Sequence, residues 1–280
     1  GENIFYLSDK LSITPGFRYE NIKTESDGYY KNINLDAAGN VILNELNYSN
    51  DIRKRSFVLL GIGISLKPKN FIEFYGNISE NYRSVTFADI SLFNPSYAIN
   101  PDITDESGMT ADFGLRGNIK NFISYDISLF NLSYNDRIGF VQKLMKDGSV
   151  KTERGNVGNA KIFGIESLID FNLKKIFFNK ENYTLNYFIN TSFIDSEYIS
   201  SEIPGIKGKK VEFVPKSNIK TGLRFGYNNF MLSAQYSYMS KQFTDSSNAI
   251  SGNLSGVIGQ IPSYSILDLS TSYYFKNFTF

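Results

Sequence analysis

The side chains best suited to gripping a ligand are arginines. Arg83, with Asn81 two positions before it, stands where an alternating apolar and polar run passes into a long polar stretch. A guanidinium presents its donors as a planar fork that matches a carboxylate, so this position suits contact with an anionic ligand. The competing reading is a structural pair between Arg83 and a neighbouring carboxylate, Glu80 or Asp89. Arg53, Arg55 and Arg137 occupy comparable positions, and Gln242 with Thr244 closes another alternating run. Asp102, Asp105 and Glu106 cluster in one polar stretch, where carboxylate oxygens could bind calcium. A solvated acidic loop is the plainer reading of that trio. Glu166 and Asp170 share one face with Gly164; paired carboxylates can act as general acid and base, but a water-lined wall accommodates them without catalysis.

Composition removes several classes of chemistry. The 280 residues contain no histidine, cysteine or tryptophan. Without them there is no disulfide framework, no thiolate or imidazole metal site, and no histidine base. Lys and Arg total 29 against 28 Asp and Glu, a net charge of +1 that gives no case for binding nucleic acid. Mean hydropathy is −0.24. No stretch approaches the roughly 18 apolar residues of a membrane helix, but alternating strands average their hydropathy away and leave a membrane barrel open.

The elements that must position these side chains are strands. Four similar phrases recur: Lys69-Asn70-Phe71, Lys120-Asn121-Phe122, Asn228-Asn229-Phe230 and Lys276-Asn277-Phe278. With two further breaks at 7–10 and 178–182 they mark tight turns near 8–10, 68–70, 119–121, 178–182, 228–229 and 276–277, a repeat on the scale of a hairpin. Between them the spacing predicts strands near 2–7, 11–24, 55–67, 71–81, 110–118, 122–143, 156–174, 183–198, 211–227, 230–243 and 262–276, with a stub at 278–280. Long loops are expected at 25–54, 82–109, 144–155, 199–210 and 244–261 from their Gly, Asn, Ser, Asp and Pro. The alternation has period 2: Phe230, Leu232, Ala234, Tyr236 and Tyr238 oppose Met231, Ser233, Gln235 and Ser237. Short turns on one side and long loops on the other, joined by strands longer than those of a soluble sandwich, point to an all-β, antiparallel, up-and-down transmembrane barrel. Phe71, Phe122, Phe230 and Phe278, flanked by Tyr227, Tyr273 and Tyr274, fit an aromatic girdle at the inner interface.

Several stretches then carry a family resemblance. Leu11–Glu20 (LSITPGFRYE), Tyr75–Asp89 (YGNISENYRSVTFAD), Asn100–Glu106 (NPDITDE) followed by Phe113–Gly117 (FGLRG), Gly158–Glu166 (GNAKIFGIE), Val214-Pro215 before Thr221–Leu223, and Ile261–Leu269 (IPSYSILDL) come in the order found in TonB-dependent outer-membrane receptors. Each is weak alone; the ordered set spans nearly the whole chain. The wording of Asn81–Phe87 (NYRSVTF) and Tyr238–Asp245 (YMSKQFTD) is similar to ferric-dicitrate-type receptors of Bacteroidetes-like bacteria.

The resemblance implies a barrel of about 22 strands around an N-terminal plug, of which residues 1–280 supply about 11–12 strands. Gly1 at the start and the unfinished strand at Phe280 read as an excerpt, with the plug and the final strands outside it. The implied function is active import of a ferric chelate, ferric dicitrate or a similar siderophore, driven by the TonB–ExbB–ExbD complex acting on the upstream region. The partners would then be the ferric chelate and outer-membrane lipid, in the bacterial outer membrane, with no cofactor and iron only as cargo. Arg83, Asn81, Arg137, Arg53 and Gln242 become the candidate ligand contacts. Uptake of cobalamin or an oligosaccharide, or a passive porin-like or adhesin barrel, are the alternatives. The lack of tryptophan argues against sugar. An outer-membrane hydrolase would need a histidine, which this stretch does not have.

Overall fold

The computed structural model describes residues 1–36, 38–90, 97–145, 148, 150–177, 182–252, 258–275 and 278–279. Its elements are β1 (Phe5–Ser8), β2 (Leu11–Leu35), β3 (Val41–Lys69), β4 (Ile72–Arg83), α1 (Phe87–Ile90), β5 (Tyr97–Ile99), β6 (Glu106–Ile119), β7 (Ile123–Leu144), β8 (Val150–Asn172), α2 (Leu173–Phe177) and β9 (Tyr183–Ser200). They continue with β10 (Ser217–Tyr227), β11 (Phe230–Met239), β12 (Gln242–Phe243), β13 (Gln260–Ile261), β14 (Tyr264–Phe275) and β15 (Phe278–Thr279). The long strands form one sheet in which each pairs antiparallel with the next, in the order β1-β2-β3-β4-β6-β7-β8-β9-β10-β11-β14-β15. Short β5 runs parallel beside β8, and β12 pairs β13 separately. This is the up-and-down wall the alternation implied, with β1 and β15 at its two edges.

Register sorts the residues into rows, because directly paired residues share a face. One row runs Ile13, Ile64, Gly76, Phe113, Leu129, Ile165, Phe193 from β2 to β9. Its larger members are about half exposed, Phe113 and Leu129 at 56%. A row of this kind facing water would be a severe penalty; facing hydrocarbon it is the expected surface. The neighbouring row, one residue on, reads Ser65, Tyr75, Gly114, Ser128, Glu166, Ser192, Asn218. The polar row faces the opposite side, which we take as the lumen.

Three lumen-side aromatics each lie over a glycine on the next strand. Tyr75 pairs with Gly114, Phe130 with Gly164 and Phe188 with Gly222. A Cβ would stand 2.6 Å from the Phe188 ring at Gly222 and 2.8 Å from the Phe130 ring at Gly164, and at Gly114 it would collide with the Tyr75 ring. Glycine therefore leaves the gap that lets each ring lie flat across the sheet. Tyr75 crosses β6 in this way and donates to Asp126 Oδ1 on β7 at 2.6 Å, joining three strands.

Several sequence expectations are corrected. The stretches 25–54 and 144–155, expected as loops, are largely strand, because β2 runs on to Leu35 and β3 begins at Val41, while β7 runs on to Leu144 and β8 begins at Val150. Their residues pair continuously across the ladder, Tyr29 opposite Tyr48 with ring centroids 6.0 Å apart, and the ladder satisfies the backbone without burial. Asp36 closes the first hairpin by accepting from the amides of Ala38 and Asn40 at 2.9 and 2.8 Å. Residues 173–174 begin a helical turn rather than ending a strand, and the strand expected from 211 starts at Ser217. The turn at 119–121 is as read, with Lys120 and Asn121 at φ 50° and 58°. The turn residues 178–181 and 276–277 lie outside the described residues.

The buried apolar core is not in the wall but at its long-loop end. Val141, Val157, Ala160, Tyr198, Ile206 and Val211 pack together there, and Val85, Ile103 and Ile138 form a second cluster. The loops thus fold back onto the wall instead of standing free.

Gly114→Val in the full-length protein is expected to cost about 1–3 kcal/mol by overpacking against Tyr75. Adding Tyr75→Ala should then cost much less than it does alone. Urea unfolding followed by gel mobility checks this; additive losses would show that the ring and the glycine are not coupled.

Candidate functional site

The segment between β4 and β6 is held at the mouth by buried carboxylates. Arg55, on β3, grips Asp105 with Nε at 2.5 Å and Nη2 at 2.7 Å, and its Nη1 reaches Thr24 at 3.1 Å. Asp105 also accepts from the Val85 amide at 2.7 Å and from the Tyr82 hydroxyl. Burial pushes the Asp105 carboxyl up, but the bonds from Arg55, Tyr82 and Val85 outweigh it and hold it below the usual carboxylate range. Arg53, next along the same face of β3, donates to the Ile103 carbonyl at 2.6 Å.

Arg83 ends β4 and meets Asp89 in the α1 turn, with Nη2 at 2.8 and 3.1 Å from the two oxygens. Asp89 is 1% exposed and accepts from the Thr86 amide and hydroxyl at 2.9 and 2.8 Å. A second guanidinium, from Arg154 on β8, stands 2.5 Å from the same carboxylate. Burial acts to raise the Asp89 carboxyl, and the Thr86 and Arg83 hydrogen bonds reverse it to a net lowering. Two cations thus share one anion. Arg83 Nη1 and Arg154 Nε are buried and have no hydrogen-bond partner among the described residues.

Arg137 lies deeper. It stands 3.9 Å from Glu106, stacks over Tyr134 at 5.1 Å, and its charge acts on Glu212. Glu106 also accepts the Ile138 amide at 2.8 Å, and Glu212 accepts the Tyr198 hydroxyl at 2.7 Å. Burial pushes the Glu212 carboxyl up despite Arg137. Arg137 therefore stands between a carboxylate at the start of β6 and one in the segment before β10, and ties both to β7.

The five sequence-predicted contacts do not converge. Arg53, Arg83 and Arg137 serve Ile103, Asp89 and Glu106 in turn, all between the end of β4 and the start of β6. Asn81 sits on β4 and donates to Thr110 Oγ1 at 3.0 Å. Gln242 lies apart, lining a concavity of about 790 Å³ on the lumen face with Tyr75, Asp126, Glu166, Asn218 and Phe213. Asp105 and Glu106 turn to different partners, so the acidic trio is not a calcium cage; among the described residues no group of three acidic side chains is placed to hold a metal. Sequence reasoning missed Arg154 and Glu212. Arg154 lay in a stretch expected as loop and Glu212 in one expected as strand, and neither carries a local signal of its partner.

The model of the family described as TonB dependent receptor-like, beta-barrel, matches residues 1–280. Among solved structures, the ferric citrate transporter FecA in its unliganded form is 18% identical with a TM-score of 0.68, over 95% of this chain and 35% of that one. The ferric yersiniabactin uptake receptor FyuA from Yersinia pestis is 18% identical with a TM-score of 0.65, over 96% of this chain and 36% of that one. The copper transporter OprC is 14% identical with a TM-score of 0.68, over 96% and 39%. The chain thus spans little more than a third of the length of these structures. At such identities the likeness is one of fold.

Asp105→Asn in the full-length receptor should cost the mouth segment about 3–5 kcal/mol, since it strands a buried guanidinium. The lowered carboxyl adds stability above the ordinary carboxylate range, lost as pH falls through its folded value. Amide exchange over 97–105 should therefore speed up in the variant at neutral pH, and lose part of the wild type's acid sensitivity. Unchanged exchange would show that Asp105 does not anchor the segment.

Proposed function

The chain belongs to the TonB-dependent receptor-like β-barrel family, and from that premise we propose that the whole protein imports a ferric chelate, ferric dicitrate being the specific cargo. Receptors of this family sit in the outer membrane of bacteria and are transport receptors rather than enzymes. The outward apolar row is the surface that membrane lipid covers. The cargo's iron is substrate, carried within the chelate. Energy would come from the TonB–ExbB–ExbD complex acting on a region outside this chain.

The observation that carries the reading is the arginine-rich rim. Arg83, its side chain 38% exposed, and Arg154 share the single buried carboxylate of Asp89, a local excess of one cation over the anion between them. Such an excess favours an anionic cargo, and planar guanidinium forks suit citrate carboxylates. Arg83 would make the leading contact, with Arg137 and Arg53 holding the segment behind it, and Asn81 and Gln242 hydrogen-bonding the cargo lower down.

Calorimetry on the full-length receptor in detergent tests this, with ferric dicitrate against a ferric hydroxamate and a maltooligosaccharide. Ferric dicitrate should bind selectively. Arg83→Ala should weaken it roughly 10–100-fold, the worth of one charged hydrogen bond. Binding of the oligosaccharide alone, with no iron chelate bound, would contradict the assignment.

A further inference from the structure

Phe213 is the most unusual residue of the mouth. Its φ is 59°, the left-handed region that a bulky side chain rarely adopts. Both of its neighbours explain how it is held there. Val211 and Glu212 are fully or nearly buried, Glu212 under the Tyr198 hydroxyl, and Val214 packs on the same apolar cluster. The Phe213 amide is fixed as well, donating to the Phe243 carbonyl at 2.8 Å. With the chain pinned on both sides, the positive φ turns the ring away from the core. It stands 54% exposed, lining the lumen concavity. A phenylalanine spending strain to leave a core a few ångströms away is not explained by packing, and strain of this kind collects at ligand-gripping positions.

The wall around the ring fixes the chemistry. Asn190, Asn218 and Gln242 offer amides that both donate and accept. The two carboxylates are engaged, Asp126 by Tyr75 and Glu166 by Ser192. Among the described residues no lysine or arginine lines the concavity. The nearest cation along this face of β10, Lys220, stands opposite Asn190 and outside the lining, whereas a neutral organic surface bearing hydroxyl or amide groups finds an aromatic face beside uncharged hydrogen-bonding partners. We propose that Phe213 is a cargo-contacting residue, its ring seating the uncharged carbon skeleton of the ferric chelate, the methylenes in the case of citrate, while the arginine rim above takes the anionic part. This rests on the chelate reading and divides the site into a charged rim and a neutral floor.

The test is Phe213→Gly in the full-length receptor. Glycine adopts φ 59° without strain, which offsets its backbone entropy cost and lets the loop keep its path. Radioiron uptake by cells is measured with ferric dicitrate and with a ferric trihydroxamate, alongside the thermal unfolding of the purified receptor. The expected result is a tenfold or greater rise in the KM of a transported chelate, larger for the trihydroxamate if both are carried, with an unchanged or higher unfolding temperature. Unchanged KM for every transported chelate would overturn the inference and leave the chelate reading standing. A lower unfolding temperature would mean that polypeptide packs on the ring, and would overturn it too. Wild-type receptor that imports iron from neither chelate would overturn the chelate reading and this inference with it.

Discussion

Everything in this molecule depends on strand register in a medium that cannot hydrogen-bond. In hydrocarbon every backbone N–H and C=O must find a partner within the sheet, so neighbouring strands cannot slip independently. Because the side-chain period is 2, register also decides which residues meet lipid. A slip of one residue would bring Glu166 and Ser128 into the row now held by Ile165 and Leu129. The sequence resists that slip from both faces. The outward row is apolar across seven strands, broken only by Gly76, and the inward row carries the hydroxyls and carboxylates. The aromatic-over-glycine pairs add a steric key, since each ring fits only where its own glycine stands opposite.

A wall of this kind has no core, so the loops obtain theirs at the mouth. Valine and isoleucine side chains from the loops pack onto the ends of β7, β8 and β9, and buried ion pairs specify how they lie. Such pairs add little net stability over apolar replacements, because desolvation offsets much of their attraction. What they provide is geometry. Arg55 fixes Asp105, Arg83 and Arg154 fix Asp89, and Arg137 stands between Glu106 and Glu212. The same guanidiniums therefore order the loops by pairing with carboxylates, most of them far along the chain.

The wall was legible in the sequence because its signals are local. Turn phrases such as Lys120-Asn121 sit where the chain takes positive φ, and alternation is plain in strands such as β10 and β11. Two kinds of feature were not legible. The β2–β3 ribbon beyond the membrane carries the Asn, Asp and Gly of a loop, and only its cross-strand ladder reveals it as strand. The segment 211–216 alternates like a strand, but the burial of both Val211 and Glu212 breaks that pattern, and no local signal announces it. At the mouth, the charged residues were visible as types. Asp89 was among the partners weighed for Arg83 because it lies six residues away, whereas Arg55 and Asp105 are 50 apart and meet only through the fold.

The central claim is that one face of this sheet meets lipid and the other water. The chain has no cysteine, so single cysteines can be placed from Phe163 to Asp170 on β8 of the full-length receptor and spin-labelled in bilayers. Accessibility to oxygen and to a water-soluble relaxant is then read at each site. The account predicts a strict alternation, with 163, 165, 167 and 169 favouring oxygen and 164, 166, 168 and 170 favouring the aqueous reagent or shielded from both. Equal aqueous access at all eight positions would contradict it.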